Sequence, residues 1–210
     1  MTAWTTSHGD MVRIKICGVR TQADIDAAID AGAHAVGLVL VPSSPRAIDV
    51  ATARTLIDWC SDAITPICLH VDPTIEQLQQ PPCRWVQLHG DEPDDVIHAA
   101  AASASVVKAV PAEHTDRLLA LDADDTVSRL LVDAPSGGSG EAFDHEAFAA
   151  TRATLRTPLV LAGGLDADTV ALVIDTIKPW GVDVSSGVES TRGTKDHGKI
   201  RAFCDAVNRR

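Results

Sequence analysis

LVLAGGLDADTV at 159–170 and GVDVSSGVES at 181–190 decide how the rest of the chain is read. Each begins with a short apolar run, Leu159–Leu161 or Val182–Val184, the pattern of a buried strand. Small residues follow at once: Gly163 and Gly164 in the first, Ser185, Ser186 and Gly187 in the second. Glycine lets backbone N–H groups approach a ligand closely, and a helix N-terminus beyond adds partial positive charge. Two such turns in succession can converge on one phosphate. The last two strand-to-helix turns are also where a (β/α)8 barrel commonly holds one.

Working outward, the same alternation repeats towards the N-terminus. Apolar or alternating runs at 12–17, 35–41, 64–71, 85–89, 106–110 and 129–133 read as strands one to six, with 159–162 and 182–185 as seven and eight. Amphipathic segments between them read as helices: one opened by a Thr21/Asp24 capping box, others at about 50–60, 74–80, after Asp91 as cap, around Leu118–Leu121, at 144–155 and from Asp166. A last helix carries Ile200, Phe203, Cys204 and Val207 at i, i+3, i+4, i+7. Eight strand–helix alternations without a linker predict one α/β domain over 11–210, a (β/α)8 TIM barrel with eight parallel strands. Residues 1–10 read as a loose N-terminal extension. The Gly-rich stretch APSGGSGEAFD at 134–144 reads as a long, mobile loop.

Bulk properties narrow the function. The 210 residues are 45% hydrophobic and 22% charged, as in a soluble globular protein. A net charge of −11 argues against nucleic acid or an anionic membrane as partner, so an anionic ligand must be attracted by local features. Five irregularly spaced Cys without a C-x-x-C suit a reducing compartment, and MTAWTTSHGD lacks the features of a signal peptide. A cytoplasmic, monomeric enzyme without cofactor or metal is the expectation.

Strand parity adds a site. In a barrel the helix-facing positions are apolar, so polar strand residues are expected to point inward. That assigns Lys15, Cys17, His70, Gln87, His89, Lys108, Asp133 and Asp183 to the inner face, several at strand C-terminal ends, where barrel active sites lie. Lys15, buried, needs a carboxylate partner. Taken singly, each residue has a plain structural reading: a small buried hydrophobe for Cys17, a turn-holding side chain for Asp133, a solvated loop residue for Arg46. Their common location at one end of one barrel favours a site.

At these residues the chain resembles the phosphoribosylanthranilate isomerases, (β/α)8 enzymes of tryptophan biosynthesis. The likeness rests on KICG at 15–18, PSSPRAI at 42–48, VQLHGDE at 86–92, LLVDA at 130–134, GGSGEAFD at 137–144, LAGGL at 161–165 and VDVSSGVES-x-x-G-x-KD at 182–196. The resemblance implies an Amadori rearrangement of N-(5′-phosphoribosyl)anthranilate, with Cys17 as general base and Asp133 as general acid. It implies that Arg46 meets the anthranilate carboxylate and that the turns at Gly163, Gly164, Ser185, Ser186 and Gly187 hold the phosphate, with His89 and Asp183 also on the substrate. Ring opening needs a proton on the ribose oxygen, and the Schiff base that follows has an acidic C2′ proton for a thiolate to remove. Lys15 or His89 is the expected helper that lowers the Cys17 pKa. The sequence departs from the pattern at His70 and at Ala47. Two alternatives stay open: a metal-dependent sugar-phosphate epimerase using His70, His89 and Asp133 as ligands, and a barrel that senses a phosphorylated ligand without turnover.

Overall fold

The computed structural model describes Trp4, residues 11–133 and residues 145–209. The loop read at 134–144, with the GGSGEAFD motif, lies outside the described residues, as does the rest of the N-terminal extension.

Eight parallel strands close into a barrel in chain order: β1 (Arg13–Cys17), β2 (Ala35–Val39), β3 (Thr65–His70), β4 (Trp85–Leu88), β5 (Ser105–Pro111), β6 (Arg129–Asp133), β7 (Leu159–Ala162) and β8 (Gly181–Val184). Helices α1 (Gln22–Asp30), α2 (Val50–Cys60), α3 (Ile75–Leu78), α4 (Asp94–Ala101), α5 (Thr115–Ala123), α6 (His145–Thr154) and α7 (Val170–Ile177) connect them, and α8 (His197–Asn208) follows. β1 closes the sheet against β8, with Lys15 opposite Asp183 and Ile14 opposite Val182.

Alternation sorts the strand residues into two cores. Ile14, Ile16, Val86, Leu88, Leu130, Val132, Val182 and Val184 pack outward against helix residues such as Ile25, Leu56 and Phe203. Ala35, Ile67, Trp85, Val107, Ala109, Leu131 and Val160 fill the barrel, together with Trp4. Trp4 belongs to the stretch expected to be loose, yet it is fully buried. Its indole meets Trp180 edge-on at 4.9 Å and Trp85 at 6.4 Å, and the Arg129 guanidinium lies 4.3 Å from the Trp180 ring centre. Trp85, Arg129 and Trp180 sit at or before strand starts, so Trp4 plugs the end of the barrel away from the strand C-termini.

Some local expectations change. Thr21 and Asp24 form the capping box. Asp91 caps no helix, because α4 begins after Pro93; its N–H instead donates to Asp72 Oδ1 at 2.8 Å. α7 starts at Val170, not Asp166, because the Asp166 carboxylate takes the N–H groups of Asp168 and Thr169 in a preceding turn. After β8 comes a single 3-10 turn (Ser186–Val188), then a hairpin of β9 (Glu189–Thr191) and β10 (Thr194–Lys195) that the alternation does not reveal.

Two inward assignments are corrected. His70 shares its face with Cys68, and Lys108 shares its face with Val106 and Val110, all of which pack in the helix-side core. Lys108 sits there because Glu92 is its counter-ion: Nζ lies 2.7 Å from Oε2 and also donates to the Gly90 carbonyl at 2.8 Å. Burial raises the Glu92 carboxyl pKa, but the Lys108 ammonium outweighs it and holds the pKa below the ordinary value. Burial lowers the His70 pKa.

Candidate active site

The barrel mouth at the strand C-termini holds a cleft of about 350 Å³. It gathers Cys17, Arg46, His89, Asp133, Gly163, Gly164, Asp183, Ser185 and Ser186, with Val39, Leu69 and Leu165 as apolar wall. Gly187 lies behind it. A Cβ there would collide with the Leu165 carbonyl oxygen, so this glycine lets the turn after β8 press against the turn after β7.

Cys17 ends β1 beside Gly37 of β2, its register partner. A Cβ on Gly37 would come within 2.7 Å of Cys17 Sγ and 3.2 Å of Lys15 Nζ, so the missing side chain makes room for both. Lys15 is fully buried and donates to Asp183 Oδ2 at 2.8 Å. This supplies the carboxylate that Lys15 requires, and it occupies an Asp183 oxygen otherwise available to substrate. Desolvation alone would lower the Lys15 pKa, but Asp183 and Cys17 raise it above the ordinary value. For Cys17, burial is the largest effect and pushes the thiol up, although Lys15 pulls the other way. Lys15 thus acts in the expected sense but is outweighed, and the resting side chain is a thiol. His89 is placed against Asp133 instead.

His89 follows β4, and its Nε2 lies 3.5 Å from Asp133 Oδ2 at the end of β6. Gln87 Nε2 is 2.8 Å from His89 Nδ1. With the Gln87 amide nitrogen directed at Nδ1, Nε2 is the ring nitrogen that faces Asp133.

Arg46, in the loop after β2, makes a two-pronged ion pair with Glu189: Nε to Oε1 at 2.6 Å and Nη2 to Oε2 at 2.9 Å. Glu189 also accepts from Lys195 Nζ at 3.0 Å and from the Gly193 N–H at 3.1 Å. Burial raises its pKa, but Arg46 and Lys195 overcome this and hold the carboxyl down to about 2. Lys195 Nζ continues to the Ser185 carbonyl at 2.9 Å, and Ser185 Oγ donates to the Cys17 carbonyl at 3.1 Å. Neither Glu189 nor Lys195 figured among the expected site residues. The signal was present, since both belong to the motif GVES-x-x-G-x-KD, but the partners of a charge are not written locally.

The turn after β7 takes positive φ at Gly163 (93°) and Gly164 (60°), where glycine is favoured. With Ser185 and Ser186 opposite, it forms one wall of the cleft, and Arg46 stands on another. The metal-ligand set His70, His89 and Asp133 is not assembled, because His70 faces the helix layer. Among the described residues, no group of three or more His, Cys, Asp or Glu is arranged to hold a metal. None of the described helices is long and apolar enough to cross a membrane.

Comparison with known proteins agrees with this geometry. Residues 14–206 match the family model described as N-(5′-phosphoribosyl)anthranilate isomerase. A relative of that name from Chromohalobacter salexigens is 40% identical over 211 residues, covering 97% of each chain. One from Acidithiobacillus ferrooxidans is 42% identical over 205 residues, covering 94% of this chain and 98% of the relative. Among solved structures, a phosphoribosylanthranilate isomerase in complex with reduced 1-(o-carboxyphenylamino)-1-deoxyribulose 5-phosphate is 32% identical, with a TM-score of 0.85 and coverage of 95% of this chain and 100% of that one. The enzyme from Thermotoga maritima is 34% identical at the same TM-score and coverage. With a closed eight-stranded barrel, a family match over nearly the whole domain and relatives of like length, the chain belongs to the N-(5′-phosphoribosyl)anthranilate isomerase family.

Proposed function

We propose that the protein converts N-(5′-phosphoribosyl)anthranilate to 1-(2-carboxyphenylamino)-1-deoxyribulose 5-phosphate. The observation that carries this reading is the meeting, in one cleft, of a thiol and a carboxyl with a loop arginine and two glycine- and serine-bearing turns. The substrate carries two anionic groups. Its phosphate is held by the N–H groups of the Gly163–Gly164 and Ser185–Ser186 turns, and its carboxylate by Arg46. Both features act locally, in a chain whose net charge is −11.

The reaction starts with Asp133 giving a proton to the ribose ring oxygen. The ring opens to a cationic Schiff base, and His89, through Nε2, stabilises the carboxylate left behind. Cys17 then takes the C2′ proton. The resting thiol is pushed up by burial, but the Schiff-base cation, arising only after ring opening, favours loss of the thiol proton to water at the cleft mouth and leaves the thiolate that this step needs. Lys15 adds a fixed positive charge below the sulfur. The enolamine so formed tautomerises to the ketone.

The test is a fluorescence assay in which phosphoribosylanthranilate is generated in place and its emission followed, with chelator present. Wild-type protein is expected to consume it, and Cys17→Ser and Asp133→Asn each to lower kcat by at least about 100-fold. Near wild-type turnover in either variant removes that residue from the mechanism. Turnover that stops with chelator points to the metal-dependent epimerase class, and binding without turnover to a ligand sensor.

A further inference from the structure

We propose that Glu189 is the positioning residue that aims Arg46 at the aryl carboxylate of the substrate; this rests on the reading of Arg46 given above. Glu189 is 6% exposed and does not itself line the cleft. A buried carboxylate next to an anion-binding arginine would at first sight weaken anion binding. Two observations show what it contributes. It engages Nε and one terminal nitrogen of Arg46, which fixes the plane of the guanidinium and leaves the remaining edge for a ligand. It is itself fixed by Lys195 and the Gly193 N–H, so its charge is compensated before Arg46 is counted. The cluster of Arg46, Lys195 and Glu189 keeps a net positive charge.

The sequence around this cluster leaves the arginine little freedom. Gly18 lies under its aliphatic stem, where a Cβ would come within 2.5 Å of Arg46 Cδ. Gly193, at φ +86°, lies against the Pro45 carbonyl, where a Cβ would come within 2.6 Å. The small hairpin of β9 and β10 therefore grips the loop carrying Arg46. Lys195, at its end, also holds the Ser185 carbonyl, so one hairpin sets the spacing between Arg46 and the turn after β8. Such a span selects ligands whose carboxylate stands at the matching distance from the phosphate.

The test compares two ligands on each variant: reduced 1-(o-carboxyphenylamino)-1-deoxyribulose 5-phosphate and the same compound lacking the carboxylate. The readout is the ratio of their dissociation constants, which a loss of folded protein does not move, because both ligands then lose sites equally. Glu189→Gln is expected to lower the preference for the carboxylate ligand by about tenfold. Glu189→Asp, which keeps the charge, should fall between Glu189→Gln and wild type. An unchanged ratio in Glu189→Gln overturns the proposal, provided that Arg46→Ala abolishes the preference. If Arg46→Ala leaves the ratio unchanged, the assignment of Arg46 itself fails, and the proposal with it.

Discussion

At the residue scale, a buried cation is tolerated only with its counter-ion, and Lys15 is paired with Asp183 at 2.8 Å. Removing the charge of Asp183 leaves a fully buried ammonium against a buried thiol. Asp183→Asn is therefore expected to cost about 3–5 kcal/mol, and Lys15→Met combined with Asp183→Leu much less than Asp183→Asn alone. Denaturant melts of the three proteins check this; equal losses in single and double variants would show that the pair is not coupled. The need of Lys15 for a carboxylate was legible from its place on an alternating strand. Which carboxylate answers it was not, since Asp183 lies on the strand that closes the barrel. The same limit hid Glu189: the sequence shows an arginine in a loop and a glutamate beyond β8, and only the closed barrel brings them to 2.6 Å. Conversely, His70 and Lys108 were misplaced because polarity was taken as a sign of facing inward. A paired charge such as Lys108–Glu92 satisfies the helix-side core equally well.

At the scale of elements, β1 and β2 are joined by an unusual acceptor. The Ile14 N–H, at the outer start of the sheet, donates to His34 Nδ1 at 3.1 Å. That bond requires a lone pair on Nδ1, and burial, with Arg13 nearby, depresses the His34 pKa to about 4 from 6.5. Because the folded-state value lies below the unfolded one, protonation favours unfolding. The contribution is fully present above pH 6.5 and is lost as pH falls to about 4, amounting to about 3 kcal/mol. Thermal melts across this window should show a steep acid-side loss in the wild type and a shallower one in His34→Gln; equal slopes would remove His34 from the account. The eight strands themselves were readable, because buried parallel strands are short apolar runs between turn residues. The hairpin of β9 and β10 was not, because strands of three and two residues are too short to show alternation. The starts of α4 and α7 shifted because acidic residues near a helix start can serve a turn as well as a cap.

At the scale of the whole molecule, the two ends of the barrel carry different duties. The mouth holds polar groups in tension with burial, while the opposite end is sealed by Trp4 over Trp85, Trp180 and the Arg129 guanidinium. Trp4→Ala is expected to destabilise the fold by about 3–5 kcal/mol while leaving kcat/KM for the isomerisation within twofold of wild type. A large loss of turnover at full folding would show that the two ends are coupled. This plug escaped sequence reading because a single tryptophan in a polar stretch has no periodicity to betray it. The seam between β1 and β8 also bears on synthesis. Lys15 and Asp183 are 168 residues apart, so a ribosome releases the ammonium long before its counter-ion. Until β8 emerges, β1 and β7 are bare edges open to other strands, and the nascent chain has only one of the two glycine- and serine-bearing turns that line the cleft. Docking of that one strand seals the edges, neutralises Lys15 and supplies the missing turn together, so a growing chain gains its pocket only when it can no longer pair with its neighbours.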